Sequence, residues 1–255
     1  MVQPESQEAV VRELKAYASE VFADGRLPGL VVDLSGSPDA DRFVVENPNA
    51  FLVAALFDRQ IAAERAWAAP SMIRDRLGHF DIHLIAQMDL EEMERVIAWS
   101  PALHRYVSTM AKNLILAAKR IVREYDGNAA NIWNGNPRVA DVIRRFESFD
   151  GIGPKIAAMA TDILVRELHV PMQMPLGSEV AVDIHVRRVF LRTGLSDRDD
   201  ITTIRNIARD LCPDDPAVLD RPSWLIGRQW CRPTPVCGEC RLGSVCPKIA
   251  ISISE

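Results

Sequence analysis

Four of the five cysteines fall in the last 25 residues, in the run C-R-P-T-P-V-C-G-E-C-R-L-G-S-V-C. They are Cys231, Cys237, Cys240 and Cys246, spaced C-x5-C-x2-C-x5-C. The segment carries prolines and glycines and no apolar period, so it cannot order itself by burying a helix or strand face. Four thiolates in so short a loop can close around one zinc ion or hold an iron–sulfur cluster. Either centre would take the place of a hydrophobic core. The spacing leaves zinc and iron–sulfur open, and four unligated buried cysteines are the plain alternative. The N-terminus, M-V-Q-P-E-S-Q-E, is acidic and has no apolar signal core. In the cytoplasmic chain this implies, crowded cysteines point to ligation more than to disulfides. Cys212 lies too far upstream to join the set and reads as a small core residue.

The rest of the chain has helical grammar. Residues 5–24 place Val10, Val11, Leu14, Ala18, Val21 and Phe22 on one side. Residues 25–50 hold six prolines and glycines and predict a loop-rich connection, with a short strand at Leu30–Leu34. The run F-L-V-A-A-L-F opens a helix over Phe51–Ala69 that is apolar all round, as in a buried core. Further helices are expected at Pro70–Leu77, Ile82–Ala86, Asp89–Trp99, Ser108–Tyr125, Pro137–Glu147 and Pro154–Leu168. After a loop over His169–Glu179 come Ile184–Thr193, Thr202–Leu211 with a cap at Thr202, and Trp224–Cys231. The fold class is therefore all-α, with about ten helices. No stretch is long and apolar enough to span a membrane.

Charge is uneven. The formal net charge is −5, which argues mildly against polyanion binding, since backbone affinity comes from Lys and Arg. Met1–Ala50 alone carries nine acids and four bases, and so accounts for the whole excess. Arg221–Ala250 carries five bases and one acid and is locally basic, which leaves nucleic-acid binding open for that end.

Two short pieces carry chemistry. In F-D-G-I-G-P-K, Gly151 and Gly153 frame one apolar residue before a helix. Such a turn exposes backbone N–H groups beside a helix N-terminus, where a phosphate can be held without reading sequence. Pro154 suits the first helical position. Lys155 then sits in the first turn, where the helix dipole and any desolvation should favour its neutral amine, a nucleophile toward carbonyl-like carbon. A solvated surface lysine is the bland alternative. In A-V-D-I-H-V-R-R-V, Asp183 is a good helix N-cap, and a cap can also face a cleft and keep its charge. His185 reads as structural.

Taken in order, G-I-G-P-K, A-V-D-I-H-V-R-R-V and G-R-Q-W-C before the four cysteines resemble the helix-hairpin-helix (HhH-GPD) DNA glycosylase superfamily. Within it, the likeness is to the endonuclease III-like branch with a C-terminal iron–sulfur loop. It covers about Phe51 to Lys248. The resemblance implies a two-lobed all-α fold with a DNA cleft. A helical barrel at 50–168 would carry the hairpin near 149–155. A second lobe would combine 1–49 with 169–255 and the cluster loop 231–246. It implies base excision repair of double-stranded DNA, with glycosylase and abasic-site (AP) lyase activity.

Residue by residue, Lys155 matches the lysine that attacks the sugar C1′, and Asp183 the acid that activates it and stabilises the cationic sugar. Gly151 and Gly153 match the phosphate-gripping hairpin. Gln60 matches the polar residue inserted where the damaged base is flipped out. Cys231, Cys237, Cys240 and Cys246 match the ligands of a [4Fe–4S] cluster, with zinc the lesser alternative. Arg232, Arg241 and Lys248 would present charge to phosphates. The likeness also implies a monomer, at work on nucleoid DNA.

Adenine-mismatch glycosylases share these features, but they need a glutamate one turn before Gln60, where this chain has Ala54 and Ala55, and they lack the lysine. A monofunctional mismatch or alkylated-base glycosylase, and a non-catalytic DNA-binding iron–sulfur protein, are the other readings. Asp150 stands where the family usually has proline, and Pro171–Glu179 resembles an insertion.

Overall fold

The computed structural model describes residues 4–23, 35–173 and 179–251. The expected strand at Leu30–Leu34 lies outside them. Among the described residues there are twelve α-helices, two 3-10 turns and no β-strand. They are α1 (Pro4–Ala23), α2 (Pro38–Glu46), α3 (Pro48–Phe57), α4 (Ala63–Leu77), α5 (Ile82–Gln87) and α6 (Leu90–Ala98). Then follow α7 (Val107–Glu124), α8 (Val139–Glu147), α9 (Pro154–Arg166), α10 (Ile184–Arg192), α11 (Ile201–Leu211) and α12 (Asp220–Gln229). The all-α expectation holds. No described helix is long and apolar enough to cross a membrane.

The chain divides into two compact units, residues 26–173 and residues 1–25 with 174–255. The sequence reading divides it at 49/50 and 168/169. The difference near the N-terminus is α2, which packs against α3 and α4 of the first unit. The proline and glycine content of 25–50 conceals this helix. Pro38 starts it from the first-turn position, and Ala40 and Val44 are buried.

In the first unit, α3 is the central element. Every residue from Ala50 to Phe57 is buried, as its all-round apolar run requires. Asn47 caps it, its side chain accepting from the N–H groups of Asn49 and Ala50 at 3.0 and 3.1 Å. The expected continuous helix over 51–69 is instead broken between Phe57 and Ala63. No glycine or proline marks the break. Gln60 sits there with φ of +55°, in left-handed backbone three residues past the end of α3. Pro70, read as a helix start, lies inside α4. There it removes one backbone donor, and α4 runs on to a left-handed cap at Gly78.

In the second unit, α1, α10, α11 and α12 share a core with Val10, Leu14, Val189, Phe190, Ile204 and Ile226. Gly227 permits the crossing of α12 on α10, because a Cβ there would come within 2.7 Å of the His185 carbonyl. Cys212 is buried in this core, and burial pushes its thiol pKa up. The cap of α11 is Asp200, which accepts from Thr203 N at 2.7 Å, two residues earlier than the sequence suggests.

Candidate active site and cysteine centre

The hairpin of the first unit joins α8 to α9. Phe146 and Phe149 are buried beneath it, and Ile152 is pressed inward between the glycines. Its turn is closed by Phe149 N donating to Phe146 O and Ile152 N to Phe149 O, both at 3.0 Å. Gly151 has φ of +95°, and a Cβ there would lie 2.4 Å from Asn113 Nδ2 and 3.0 Å from Leu56 Cδ1. Only glycine meets both conditions. Gly153 has φ of −93° and faces open space.

α9 begins at Pro154 with no side-chain cap. The N–H groups of Gly151, Gly153, Lys155 and Ile156 donate to no acceptor among the described residues. They form a run of open donors at the positive end of a helix, the arrangement that holds an anion. Lys155 is half-buried in this first turn. Its amine takes part in no ion pair among the described residues.

In the second unit Asp183 caps α10. Its Oδ1 accepts from His185 N at 2.8 Å and from Val186 N at 2.9 Å. The whole cap uses one oxygen, which leaves Oδ2 available for chemistry. Two residues on, His185 is held by Arg188, whose Nη2 lies 2.8 Å from His185 Nδ1. A guanidinium only donates, so Nδ1 accepts and the imidazole proton is on Nε2. Burial lowers the pKa of His185, which favours that neutral form. Arg188 also donates from Nε to Cys231 O at 2.8 Å and from Nη2 to Gly227 O at 3.2 Å. It is buried and ties the start of α10 to the first cysteine. Arg188 is barely marked in the sequence. Its only signal was a basic residue on the apolar face of α10, one turn after His185.

Gln60 is exposed. Its Oε1 accepts from Arg105 Nη2 at 2.7 Å and from the Tyr106 hydroxyl at 3.0 Å. Beneath them His104 is fully buried, with Nε2 donating to Arg59 O at 2.8 Å and Nδ1 accepting from Tyr106 N at 3.0 Å. Burial, opposed by the Arg59 carbonyl and aided by nearby arginines, lowers the His104 pKa and keeps the ring neutral. Arg105 and Tyr106 were likewise not singled out from sequence.

The four cysteines line one cavity of about 230 Å³, together with Val189, Arg192, Ile226 and Leu242. Burial is the first cause raising the thiol pKa values of Cys240 and Cys246, and the other thiols of the set add to it. Lys248 N donates to Cys246 Sγ and Arg192 Nη1 to Cys231 Sγ, at 3.3 and 3.5 Å. Among the described residues no three His, Cys, Asp or Glu side chains stand close enough to hold a single metal ion. Four cysteine sulfurs around one cavity are a donor set that suits a thiolate-held metal or iron–sulfur centre.

Of the expected phosphate contacts, Arg232 and Lys248 are exposed. Arg241 is not free in the same way, since its guanidinium pairs with Glu20 and lies 4.8 Å from the centroid of Tyr17.

An all-α fold with a glycine hairpin leading into a lysine-bearing helix, and a four-cysteine loop at its end, defines a helix-hairpin-helix protein. The profile of the HhH-GPD superfamily of base excision DNA repair proteins matches residues 53–214, and the chain belongs to that superfamily. Endonuclease III of Synechocystis sp. is 27% identical over 216 residues, covering 81% of this chain and 84% of that protein. A trapped endonuclease III–DNA covalent intermediate, in an estranged-adenine complex, superposes with a TM-score of 0.65 at 19% identity, over 97% of both chains. A thermostable thymine-DNA glycosylase superposes with a TM-score of 0.61 at 13% identity, over 94% of this chain and 98% of that one.

Proposed function

We propose that this chain is a base excision repair DNA glycosylase with an AP lyase step, acting as a monomer on damaged duplex DNA of the nucleoid. One observation carries the reading. The open N–H groups and the Lys155 amine come from one run, Gly151 to Ile156, so phosphate grip and nucleophile are delivered together.

The chemistry follows from the residues. The target base leaves the stack, because its sugar is otherwise unreachable. Gln60 occupies the gap. The hairpin N–H groups hold the neighbouring phosphate. Asp183, through Oδ2, takes a proton from the Lys155 ammonium and passes it to the departing base, and the carboxylate so restored stabilises the positive charge on the sugar as the glycosidic bond breaks. The Lys155 amine bonds to C1′ and the base departs with a proton. The sugar ring opens to a Schiff base, and loss of a C2′ proton expels the 3′ phosphate by β-elimination. A covalent intermediate trapped between endonuclease III and DNA supports a covalent step.

Cys231, Cys237, Cys240 and Cys246 would hold a [4Fe–4S] cluster, a reading supported by the one cavity that all four line. Bound, it would supply four iron–thiolate cross-links to a loop that has no helix or strand of its own.

The test is strand nicking of a duplex with one abasic site. The native protein nicks it and Lys155→Ala does not. Nicking by Lys155→Ala at the native rate would remove the lysine from the reaction.

A further inference from the structure

The residues after the last cysteine turn back onto the cysteine cavity. Pro247 follows Cys246, and Lys248 then has φ of +57°. Left-handed backbone is costly for a non-glycine residue and persists only where neighbours fix it. Two hydrogen bonds do so here. Lys248 N donates to Cys246 Sγ at 3.3 Å, and Ile249 N donates to Arg192 O at 3.0 Å. Arg192 ends α10, so the second bond also satisfies one of the carbonyls that a helix leaves open at its C-terminus. Held by these bonds, Lys248, Ile249, Ala250 and Ile251 line the same cavity as all four cysteines. The lining also includes Val189, Ile226 and Leu242, which belong to the core of the second unit. Ile249 is 36% exposed and Ile251 is half-buried. Each isoleucine therefore has one side on the cavity and the other in water, the placement of a cover.

We propose that residues 247–251 form a strap over the cysteine centre that keeps water and small solutes from the iron–sulfur cluster held there. Solvent exposure and hydrogen bonds to the sulfurs are two of the levers a protein has on such a cluster. The strap supplies both. Its isoleucines exclude water, and the left-handed turn at Lys248 aims a backbone N–H at Cys246 Sγ. The bond from Ile249 to Arg192 O locks the strap to the end of α10. The inference rests on the iron–sulfur reading of the four cysteines. It adds which residues of this chain control access to the cluster.

The test uses the full-length, iron-loaded protein in oxygen-free buffer with excess EDTA. Bleaching of the brown cluster absorbance reads access to the metal and needs no DNA activity. Ile249→Pro removes the N–H that reaches Arg192 O and disfavours the left-handed turn at Lys248 before it. It is expected to bleach at least about fivefold faster than the native protein, the factor that one net hydrogen bond corresponds to. Ile249→Ser combined with Ile251→Ser should also bleach faster, whereas the corresponding double change to Val should stay near the native rate. Val236→Ser is the control. Val236 lies in the same cysteine loop and is 40% exposed, but it does not line the cavity, so its rate should be native. Native rates in both Ile249→Pro and the double Ser variant, or equal acceleration by Val236→Ser, would overturn the strap. Amide hydrogen exchange on the native loaded protein tests it without any substitution. Protection is expected at Lys248 and Ile249, and free-chain exchange at both would also overturn it. Purified protein with zinc and no iron would instead overturn the cluster reading on which the inference rests.

Discussion

Gly151 and Gly153 look alike in the sequence and separate in the structure. Gly151→Ala meets both a forbidden φ and the Asn113 side chain, so it should destabilise the protein by about 1–3 kcal/mol in chemical denaturation. Gly153→Ala has ordinary φ and open space, and its unfolding midpoint should stay close to native. Equal losses would mean that the hairpin is not built as described. Asp183 divides in the same manner. Asn also caps well, so Asp183→Asn should fold with native stability and lose base release, whereas Asp183→Ala should also lose about 1 kcal/mol. Native base release by Asp183→Asn would reduce this residue to a cap. The local roles of Gly151, Lys155 and Asp183 were legible because glycine, helix start and cap are defined by near neighbours. The partners of Gln60 were not, since Arg105 and Tyr106 are 45 and 46 positions away.

The break between α3 and α4 is the element that periodicity could not find. The chain is helical on either side of it, and no glycine or proline announces it. It is made by His104, Arg105 and Tyr106 from another loop, a tertiary cause with no local signature. Pro70 misled in the opposite direction, marking a boundary inside a helix that packing sustains. The break has a pH signature. Burial depresses the His104 pKa in the folded state, so its contribution is complete above the unfolded value of about 6.5 and is lost as pH falls through the lower folded value. Protonating Nδ1 removes the acceptor for Tyr106 N. Amide hydrogen exchange over residues 58–62 and 104–106 should therefore quicken on acidification, after correction for intrinsic rates. Protection unchanged down to pH 5 would contradict the neutral tautomer.

Across the whole molecule, a chain of net charge −5 must bind a polyanion through local features: the hairpin dipole and the basic C-terminal segment. Arg232→Ala or Lys248→Ala should lower the salt slope of DNA binding by about one each, whereas Arg241→Ala should leave the slope and cost stability through Tyr17 and Glu20. A reduced slope in Arg241→Ala alone would reverse that assignment. Purified protein should be brown and contain iron with acid-labile sulfide, and Cys237→Ser should lose both; zinc without iron would contradict the cluster. The most direct measurement is borohydride trapping on an abasic-site duplex followed by peptide mass mapping. A reduced sugar adduct on Lys155, absent from Lys155→Ala, is the predicted result. An adduct on another residue, or none with protein that binds the duplex, would contradict the lysine-centred mechanism.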